Sequence, residues 1–211
     1  MADAQIDANR GNDLVVDPED TFFIELHKRF LNFGKEMQTV SSQQGGEIWN
    51  STQTFRITPT SYDLLTDLEL KITLPVLSTG SHATSSAFIG YTNSVGHAII
   101  KSIKFYINGQ LIDQHTGEWM EIWDELTLDN DSLKSEVGKY DSNIALRTNA
   151  TVEKTLIVPL RFWFCRNWSM ALPCKDIDRI KIEVSTRTFA ELVYTDAATT
   201  STPTGSSMYL I

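Results

Sequence analysis

Several segments of the chain alternate apolar and polar side chains with a period of two, the period of a β-strand that has one face in a core. The apolar positions of the clearest segments are Leu68, Leu70, Ile72 and Leu74; Ile99, Ile103, Phe105 and Ile107; Leu156, Val158, Leu160, Phe162 and Phe164; and Ile180, Ile182 and Val184. Asn108-Gly109 follows the second segment, and this dipeptide favours a type I′ hairpin turn because both residues tolerate positive φ. We predict four strands here and a return strand at 110–113.

The segment from Thr116 to Leu126 has a helical pattern instead. Its large apolar residues share one helical face, at Trp119, Ile122, Trp123 and Leu126. Its acidic residues take the other positions, at Glu118, Glu121, Asp124 and Glu125. We predict a helix that crosses between strands of a sandwich, with Trp119 and Trp123 in the core and the glutamates on a solvated face.

Residues 1–33 precede the strand-like segments and are polar and acidic at their start. Apolar residues then recur at i, i+4 and i+8, at Phe22, Leu26 and Phe30, with Phe23 beside them. This spacing predicts a short amphipathic helix, and the same apolar residues would also anchor an extended arm. We interpret residues 1–33 as an N-terminal arm and expect Phe22, Phe23 and Phe30 to be its assembly contacts.

The remainder, residues 34–211, reads as one all-β domain. Long loops rich in Ser, Thr, Gly and Asn separate the strand-like segments, at 41–46, 78–94, 129–151 and 195–207. Many short strands, long loops and one or two short helices are typical of an antiparallel β-sandwich or jelly roll.

Composition narrows the range of partners. The 211 residues carry a net charge of -9, with an isoelectric point near 4.9. Such a chain lacks the excess of cations needed to neutralise phosphates, so direct binding to nucleic acid is disfavoured. The acidic N-terminus has no apolar stretch of the kind that secretory signals carry, and no segment approaches the roughly 18 apolar residues of a membrane span. We expect neither a signal peptide nor a transmembrane segment.

The motifs of common enzyme classes are missing from the sequence. It contains no GxGxxG, GxxxxGK[ST], HExxH or GxSxG. The four histidines are His27, His82, His97 and His115, and no two of them have the spacing of a metal-ligand pair. We therefore expect no catalytic residues, no cofactor and no metal. The two cysteines, Cys165 and Cys174, fit free thiols better than a zinc array or a disulfide scaffold.

Two chemical alternatives stay open at this point. A glutamate of the predicted helix, Glu118, Glu121 or Glu125, could belong to a glycosidase-like carboxylate pair whose other member lies elsewhere in the chain, since the two members are usually far apart in sequence. Trp163 and Trp168, near Arg161 and Arg166, could form a platform for a sugar or a base. A subunit contact or an apolar core explains the same aromatic residues more simply.

Several blocks in order carry a resemblance to a known family. They are VGHAIIKSI at 95–103, INGQLID at 107–113, GEW at 117–119, IWDELT at 122–127, IVPLRFWFCRN at 157–167 and ALP at 171–173, with TFF, KR and NF before them at 21–23, 28–29 and 32–33. In this order the blocks resemble the N-terminal half of the major capsid protein of nucleocytoplasmic large DNA viruses. That group includes iridoviruses, phycodnaviruses and mimivirus-like viruses.

The resemblance implies an eight-stranded antiparallel jelly-roll β-sandwich at 34–211, the first of two in the family's subunit. It implies a structural role without catalysis, in trimeric pseudo-hexagonal capsomers of an icosahedral shell over an internal membrane. The implied partners are a homotrimer, neighbouring capsomers, minor capsid proteins and the inner-membrane side. The implied location is the virion, assembled in the host cytoplasm. The second jelly roll is absent from this sequence.

Two other functions are compatible with a jelly roll. One is a carbohydrate- or receptor-binding virion domain, which would bind glycans through exposed aromatic residues. The other is an enzyme related to cupins, which would hold a transition metal. The absence of clustered histidines weighs against the enzyme.

Overall fold

The computed structural model describes residues 34–58, 63–77, 89–127, 131–195 and 202–211. The chain divides into two units, Met1–Glu36 and Met37–Ile211, and the fold described here belongs to the second. The predicted N-terminal helix and its anchors Phe22, Phe23 and Phe30 lie outside the described residues.

Twelve strands and five helices are present in these ranges. The strands are β1 (Val40–Ser41), β2 (Thr52–Ile57), β3 (Leu64–Leu65), β4 (Glu69–Leu74), β5 (Ile89–Tyr91), β6 (Ile100–Ile107), β7 (Gln110–His115), β8 (Lys154–Pro159), β9 (Leu172–Pro173), β10 (Ile180–Thr186), β11 (Val193–Thr195) and β12 (Ser207–Leu210). The helices are α1 (Val95–Ala98), α2 (Gly117–Thr127), α3 (Asp131–Glu136), α4 (Asn143–Ala150) and α5 (Trp163–Arg166). Two 3₁₀ turns span Trp168–Met170 and Phe189–Glu191.

Eight of the strands form two four-stranded antiparallel sheets. One sheet has the order β1-β12-β4-β8 and the other the order β2-β10-β6-β7. Pairing is nested, since β1 pairs with β12, β2 with β10, β4 with β8 and β6 with β7. The chain changes sheet at each step between these strands except in the β6–β7 hairpin. This is jelly-roll topology, so the predicted eight-stranded fold is confirmed. Two short ribbons, β5–β11 and β3–β9, lie outside the main sheets.

The hairpin between β6 and β7 has the predicted turn. Asn108 and Gly109 have φ angles of 50° and 86°, both in the left-handed region that a type I′ turn requires. The Asn108 side-chain oxygen also accepts hydrogen bonds from the backbone N–H groups of Asp178 and Arg179, at 3.2 and 3.0 Å. The turn is thereby attached to the loop that leads into β10.

The alternating segment from Leu156 onward is a strand for only half its length. Strand β8 ends at Pro159, and Phe162 and Phe164 belong to the turn of α5 instead. The rings of Phe162, Trp163 and Phe164 all lie 5.1–5.4 Å from that of Phe105, centroid to centroid. Three consecutive residues cannot meet one ring from a strand, because their side chains would point to alternate faces. A helical turn brings all three to Phe105.

The helices are more numerous than the one or two expected. Helices α3 and α4 occupy most of the segment at 129–151 that the sequence indicated to be a loop. Helix α4 begins at an N-cap, where the Ser142 hydroxyl accepts a hydrogen bond from the N–H of Ala145. It ends against the sandwich, since Ala150 is buried and its carbonyl accepts from the N–H of Leu77. Tertiary packing rather than a sequence period stabilises these short helices.

The core lies between the two sheets. Across one sheet, Phe55, Ile182 and Phe105 are direct neighbours on adjacent strands, and all three are fully buried. Across the other, Ile72 is paired with Leu156 and Met208 in the same way. Removing this much apolar surface from water is the main stabilising contribution to the sandwich.

Phe105 tests this description of the core. We expect Phe105→Ala to lower the free energy of unfolding by about 3–5 kcal/mol, because it leaves a cavity beneath three aromatic rings. Leu111→Ala is the matched control on the adjacent strand β7, where the side chain is exposed. It should change stability by about 0.5 kcal/mol or less. Urea denaturation followed by circular dichroism measures both, and equal losses would contradict this assignment of the core.

Candidate functional site

Helix α2 and the residues that hold it form the most polar buried site in the described part of the chain. The helix follows the β6–β7 hairpin directly and begins at Gly117, against α1. It is present as predicted, but the face it turns inward differs from the predicted one. Its buried residues are Gly117, Met120 and Asp124.

The apolar side chains of α2 are not all in the core. Ile122 is 59% exposed and Leu126 is 81% exposed. Trp119 and Trp123 are only half-buried. The prediction that Trp119 and Trp123 belong to the core is therefore wrong for Trp123 and only partly right for Trp119, which packs against the edge of the core.

A close backbone approach fixes this rotation of the helix. A Cβ atom at Gly117 would collide with the carbonyl oxygens of His97 and Ile100. Only glycine permits this contact, and the colliding atoms are backbone that cannot move aside. The inward side of α2 is thus set by glycine at its first turn and by charged groups further along.

The charged groups form what we call the His97 cluster: His97, Glu121, Asp124, Lys139 and Arg161. The Nδ1 atom of His97 lies 2.7 Å from a carboxylate oxygen of Glu121, and its Nε2 atom lies 3.2 Å from one of Asp124. Arg161 donates two hydrogen bonds to the other oxygen of Asp124, at 3.0 and 3.2 Å. Lys139 donates to Glu121 at 2.9 Å.

Two neighbours complete the cluster. The Ser94 hydroxyl donates to the Glu121 oxygen that faces His97. Lys139 also pairs with Glu125. The expectation of a solvated glutamate face therefore holds for Glu118 and Glu125, whose side chains are mostly exposed, but is wrong for Glu121.

Burial and charge act in opposite directions on His97. Burial by itself favours the neutral imidazole, but the hydrogen bonds and charges of Asp124 and Glu121 outweigh it and raise the pKa of His97. The hydrogen bond from His97 is the largest cause that lowers the pKa of Glu121 to about 2, and Ser94 and Lys139 lower it further. Both shifts favour an ion pair between imidazolium and carboxylate.

The cluster is not arranged as a metal site. Glu121 and Asp124 face opposite nitrogens of the His97 ring, so their oxygens do not converge on one point with an imidazole nitrogen. In the ranges that the structure covers, no group of three or more His, Cys, Asp or Glu side chains is placed to hold a metal ion.

An aromatic stack lies beside the cluster. His115 stacks on Trp119 at 4.2 Å between centroids, and Trp119 stacks on Trp123 at 5.4 Å. The guanidinium of Arg166 covers Trp123 at 4.6 Å, a cation–π contact. Burial is the main reason that the pKa of His115 is lowered.

The aromatic residues proposed as a sugar platform have other contacts. Trp163 packs edge-on against Phe105 and Phe164. Arg161 and Arg166 are directed to Asp124 and Trp123. The side chain of Trp168 lies outside the described residues. Cys165 and Cys174 are free thiols, and burial raises the pKa of Cys165 to about 12.

The surface near α2 combines apolar residues with an edge strand. Strand β7 is the last of its sheet, and its Leu111 and Ile112 are exposed. The register shifts by one residue between Phe105 and Tyr106 on the partner strand, so β7 carries a bulge. Asp113 lies opposite Phe105 at this bulge. A bulge and a charge on an edge strand both oppose uncontrolled pairing with other strands.

Comparison with known proteins gives a consistent result. A family described as "Major capsid protein N-terminus" matches residues 21–208. The major capsid protein of Pyramimonas orientalis virus is 31% identical over 205 residues, which cover 90% of this chain and 45% of the relative. "Probable capsid protein 4" of Acanthamoeba polyphaga mimivirus is 30% identical, over 84% of this chain and 36% of the relative.

Solved structures match at the level of the fold. The quasi-atomic model of the PBCV-1 virus capsid superposes with a TM-score of 0.67 at 20% identity, over 90% of this chain and 44% of that one. The Faustovirus major capsid protein superposes with a TM-score of 0.53 at 16% identity, over 98% of this chain and 51% of that one. The chain spans less than half the length of the curated relatives it matches. Among the described helices, none has the length and apolar character needed to cross a membrane.

Gly117 tests how α2 is seated. In an ordinary helix, Gly→Ala stabilises by about 0.5–1 kcal/mol. We expect Gly117→Ala to destabilise instead, by about 1–3 kcal/mol, because the methyl group is forced against two backbone carbonyls. Gly34→Ala is the control, since nothing lies within 4 Å of its added Cβ. Thermal unfolding at constant pH measures both, and a stabilising Gly117→Ala would show that the close approach is not rigid.

Proposed function

The chain belongs to the major capsid protein family of large DNA viruses, matching its N-terminal part over residues 21–208, and from this we propose that it supplies the first jelly roll of a shell-forming subunit. The observation that carries the proposal is the nested strand pairing of a jelly roll, in a chain that aligns with capsid proteins over most of its length. The role is mechanical. A rigid sandwich positions loops and edges that make many weak, repeated contacts with neighbours.

Membership of this family supports a structural role without catalysis, since its relatives are named as capsid proteins. The task of such a protein is to keep its shape under assembly. The fold supports that task because both sheets contribute fully buried residues to one continuous core. The bulge interrupts the regular hydrogen-bonding pattern of the exposed edge strand β7, so it opposes pairing of β7 with strands of other molecules.

We propose that the subunit assembles as the family resemblance implies. Three subunits, each with a second jelly roll, would form a pseudo-hexagonal capsomer, and capsomers would tile an icosahedral shell in the virion. Neighbouring capsomers, minor capsid proteins and the inner-membrane side would be its partners, with assembly in the host cytoplasm. The exposed apolar residues of α2 and β7 support such contacts, because surfaces of this kind are common in interfaces.

We also propose separate roles for two parts of the chain. Residues 34–211 form the jelly-roll domain, and residues 1–33 form an arm that reaches a neighbour. Phe22, Phe23 and Phe30 are the anchors we assign to the arm. Each phenyl ring buried in a contact contributes roughly 1.5–3 kcal/mol, so three rings are enough to decide whether a weak contact forms.

Assembly measurements test this role. We expect the polypeptide that carries this chain to form trimers in native mass spectrometry. Removal of residues 1–33, or replacement of Phe22, Phe23 and Phe30 by serine, should weaken assembly about tenfold or more, since about 1.4 kcal/mol is a tenfold change in Kd. The β-sheet circular dichroism signal should stay unchanged. Alanine at Gln5, Asn9 and Asn12 is the control for altering the arm without its rings.

The outcomes separate the parts of the proposal. A monomer at micromolar concentration with an intact β-sheet signal would contradict the shell role. Trimers and particles that form equally well without the three phenylalanines would leave the shell role standing and contradict the arm. A loss of assembly in the control variant as well would show that the arm does not act through its aromatic residues.

A further inference from the structure

We propose that the His97 cluster makes the packing of helix α2 on the jelly roll depend on pH. The helix is held more tightly when His97 is protonated and less tightly when His97 loses its proton, and we call this arrangement the lock. The inference goes beyond the shell role and does not depend on it. It rests on the placement of hydrogen-bond acceptors around one buried imidazole.

The number of donors on the ring carries the inference. His97 has a carboxylate oxygen within hydrogen-bond distance of Nδ1, at 2.7 Å, and another 3.2 Å from Nε2, an ion-pair contact without hydrogen-bond geometry. A carboxylate only accepts, so it attracts a ring nitrogen that carries a proton and repels one that carries a lone pair, and only the doubly protonated ring avoids repulsion on both sides. A neutral imidazole has one N–H and one lone pair. Deprotonation therefore leaves either Glu121 or Asp124 facing a lone pair across a buried contact.

The charges around the imidazole differ in their burial. Lys139 and Arg161 balance Glu121 and Asp124, and the charge of the imidazolium is balanced only when Glu125, which pairs with Lys139 and is 56% exposed, is counted as well. The side chain of His97 is 3% exposed and that of Asp124 is 8% exposed, so water cannot easily take the place of the imidazolium N–H groups beside the two carboxylates.

The cluster joins separate elements of the fold. Ser94 and His97 come from the turn and helix of α1, and Glu121, Asp124 and Glu125 come from α2. Lys139 follows α3, and Arg161 follows strand β8. In the described part of the chain, these are the charged groups that form ion pairs with the imidazole, with its two carboxylates or with Lys139. Since α2 contributes its carboxylates to every pair, loss of the imidazolium acts on the attachment of this helix.

Loosening of α2 would alter a surface. The helix carries the exposed Ile122 and Leu126, and its inward side covers Met120, which is 1% exposed. Opening would therefore change which apolar groups face solvent. A change in proton concentration alone would then modify the outer surface beside β7.

The direction of the pH dependence follows from both shifted groups. The folded pKa of His97 is raised above its ordinary 6.5, so its contribution is complete below pH 6.5 and is lost as pH rises through the folded value. The folded pKa of Glu121 is lowered from 4.5 to about 2, so its contribution is complete above pH 4.5 and is lost as pH falls toward 2. The lock is strongest between these limits, at mildly acidic pH.

Hydrogen exchange and NMR test the lock on the 211-residue chain. We expect the His97 ring resonances to titrate above pH 6.5. The opening constant of the α2 amides, corrected for intrinsic exchange, should rise about tenfold per pH unit between pH 6.5 and that midpoint, because one proton is released on opening. The amides of β10 should show no such slope. A midpoint at or below 6.5, or α2 protection independent of pH, would overturn the proposal.

Two variants separate the lock from general effects of titration. Asp124→Asn should move the His97 midpoint toward its ordinary value, because one of the two carboxylates is removed. His97→Gln should abolish the pH dependence of α2 opening. His115→Gln is the control, since His115 lies outside the cluster and is stacked between Trp119 and Phe162. If α2 keeps its pH dependence in His97→Gln, another group operates it and the proposal is wrong.

Discussion

The packing of the two sheets around Phe105 is the contact on which the other features depend. Its ring ends a row of buried side chains across one sheet, and Phe162, Trp163 and Phe164 close over it from the segment after β8. That closure bends the chain into α5. The bend places Arg161 beside Asp124 and Arg166 over Trp123. The apolar core thus determines where the polar contacts of α2 are made.

Helix α2 is held by charges where an apolar contact would be the simpler arrangement. Burying charged groups costs desolvation free energy, and a buried ion pair often stabilises no more than a well-packed apolar replacement. What the pairs supply is a unique position, since each carboxylate has a geometrically fixed partner. The close contact at Gly117 acts in the same way, because it permits one rotation of the helix on α1. The outward apolar residues follow from that rotation.

The strands were predictable because one buried face leaves a period of two in the sequence, as at Leu70 and Ile72 or Ile180 and Ile182. The turn at Asn108-Gly109 was predictable because its φ angles restrict the residue types. The face of α2 was not, since the spacing of Trp119, Ile122, Trp123 and Leu126 does not reveal whether the stripe meets a core or solvent. The His97 cluster was not predicted because its members are far apart in the chain, and no local pattern marks them. Asp124 and Arg161, which form an ion pair, are separated by 37 positions. The one available signal was the pair Glu121 and Asp124, which are spaced i, i+3 and therefore share a face of the helix. That signal pointed away from the core, because the opposite, apolar face of the helix was already assigned to it.

A jelly roll by itself is compatible with several functions. Among them, the family to which this chain belongs favours the role of a shell subunit. The most direct measurement is quantitative mass spectrometry of virus particles purified from the source of this sequence. Peptides from residues 34–211 should rank among the most abundant in the particle, in proportion to a shell of many identical subunits. Their absence, or an amount typical of a minor packaged enzyme, would contradict the shell role.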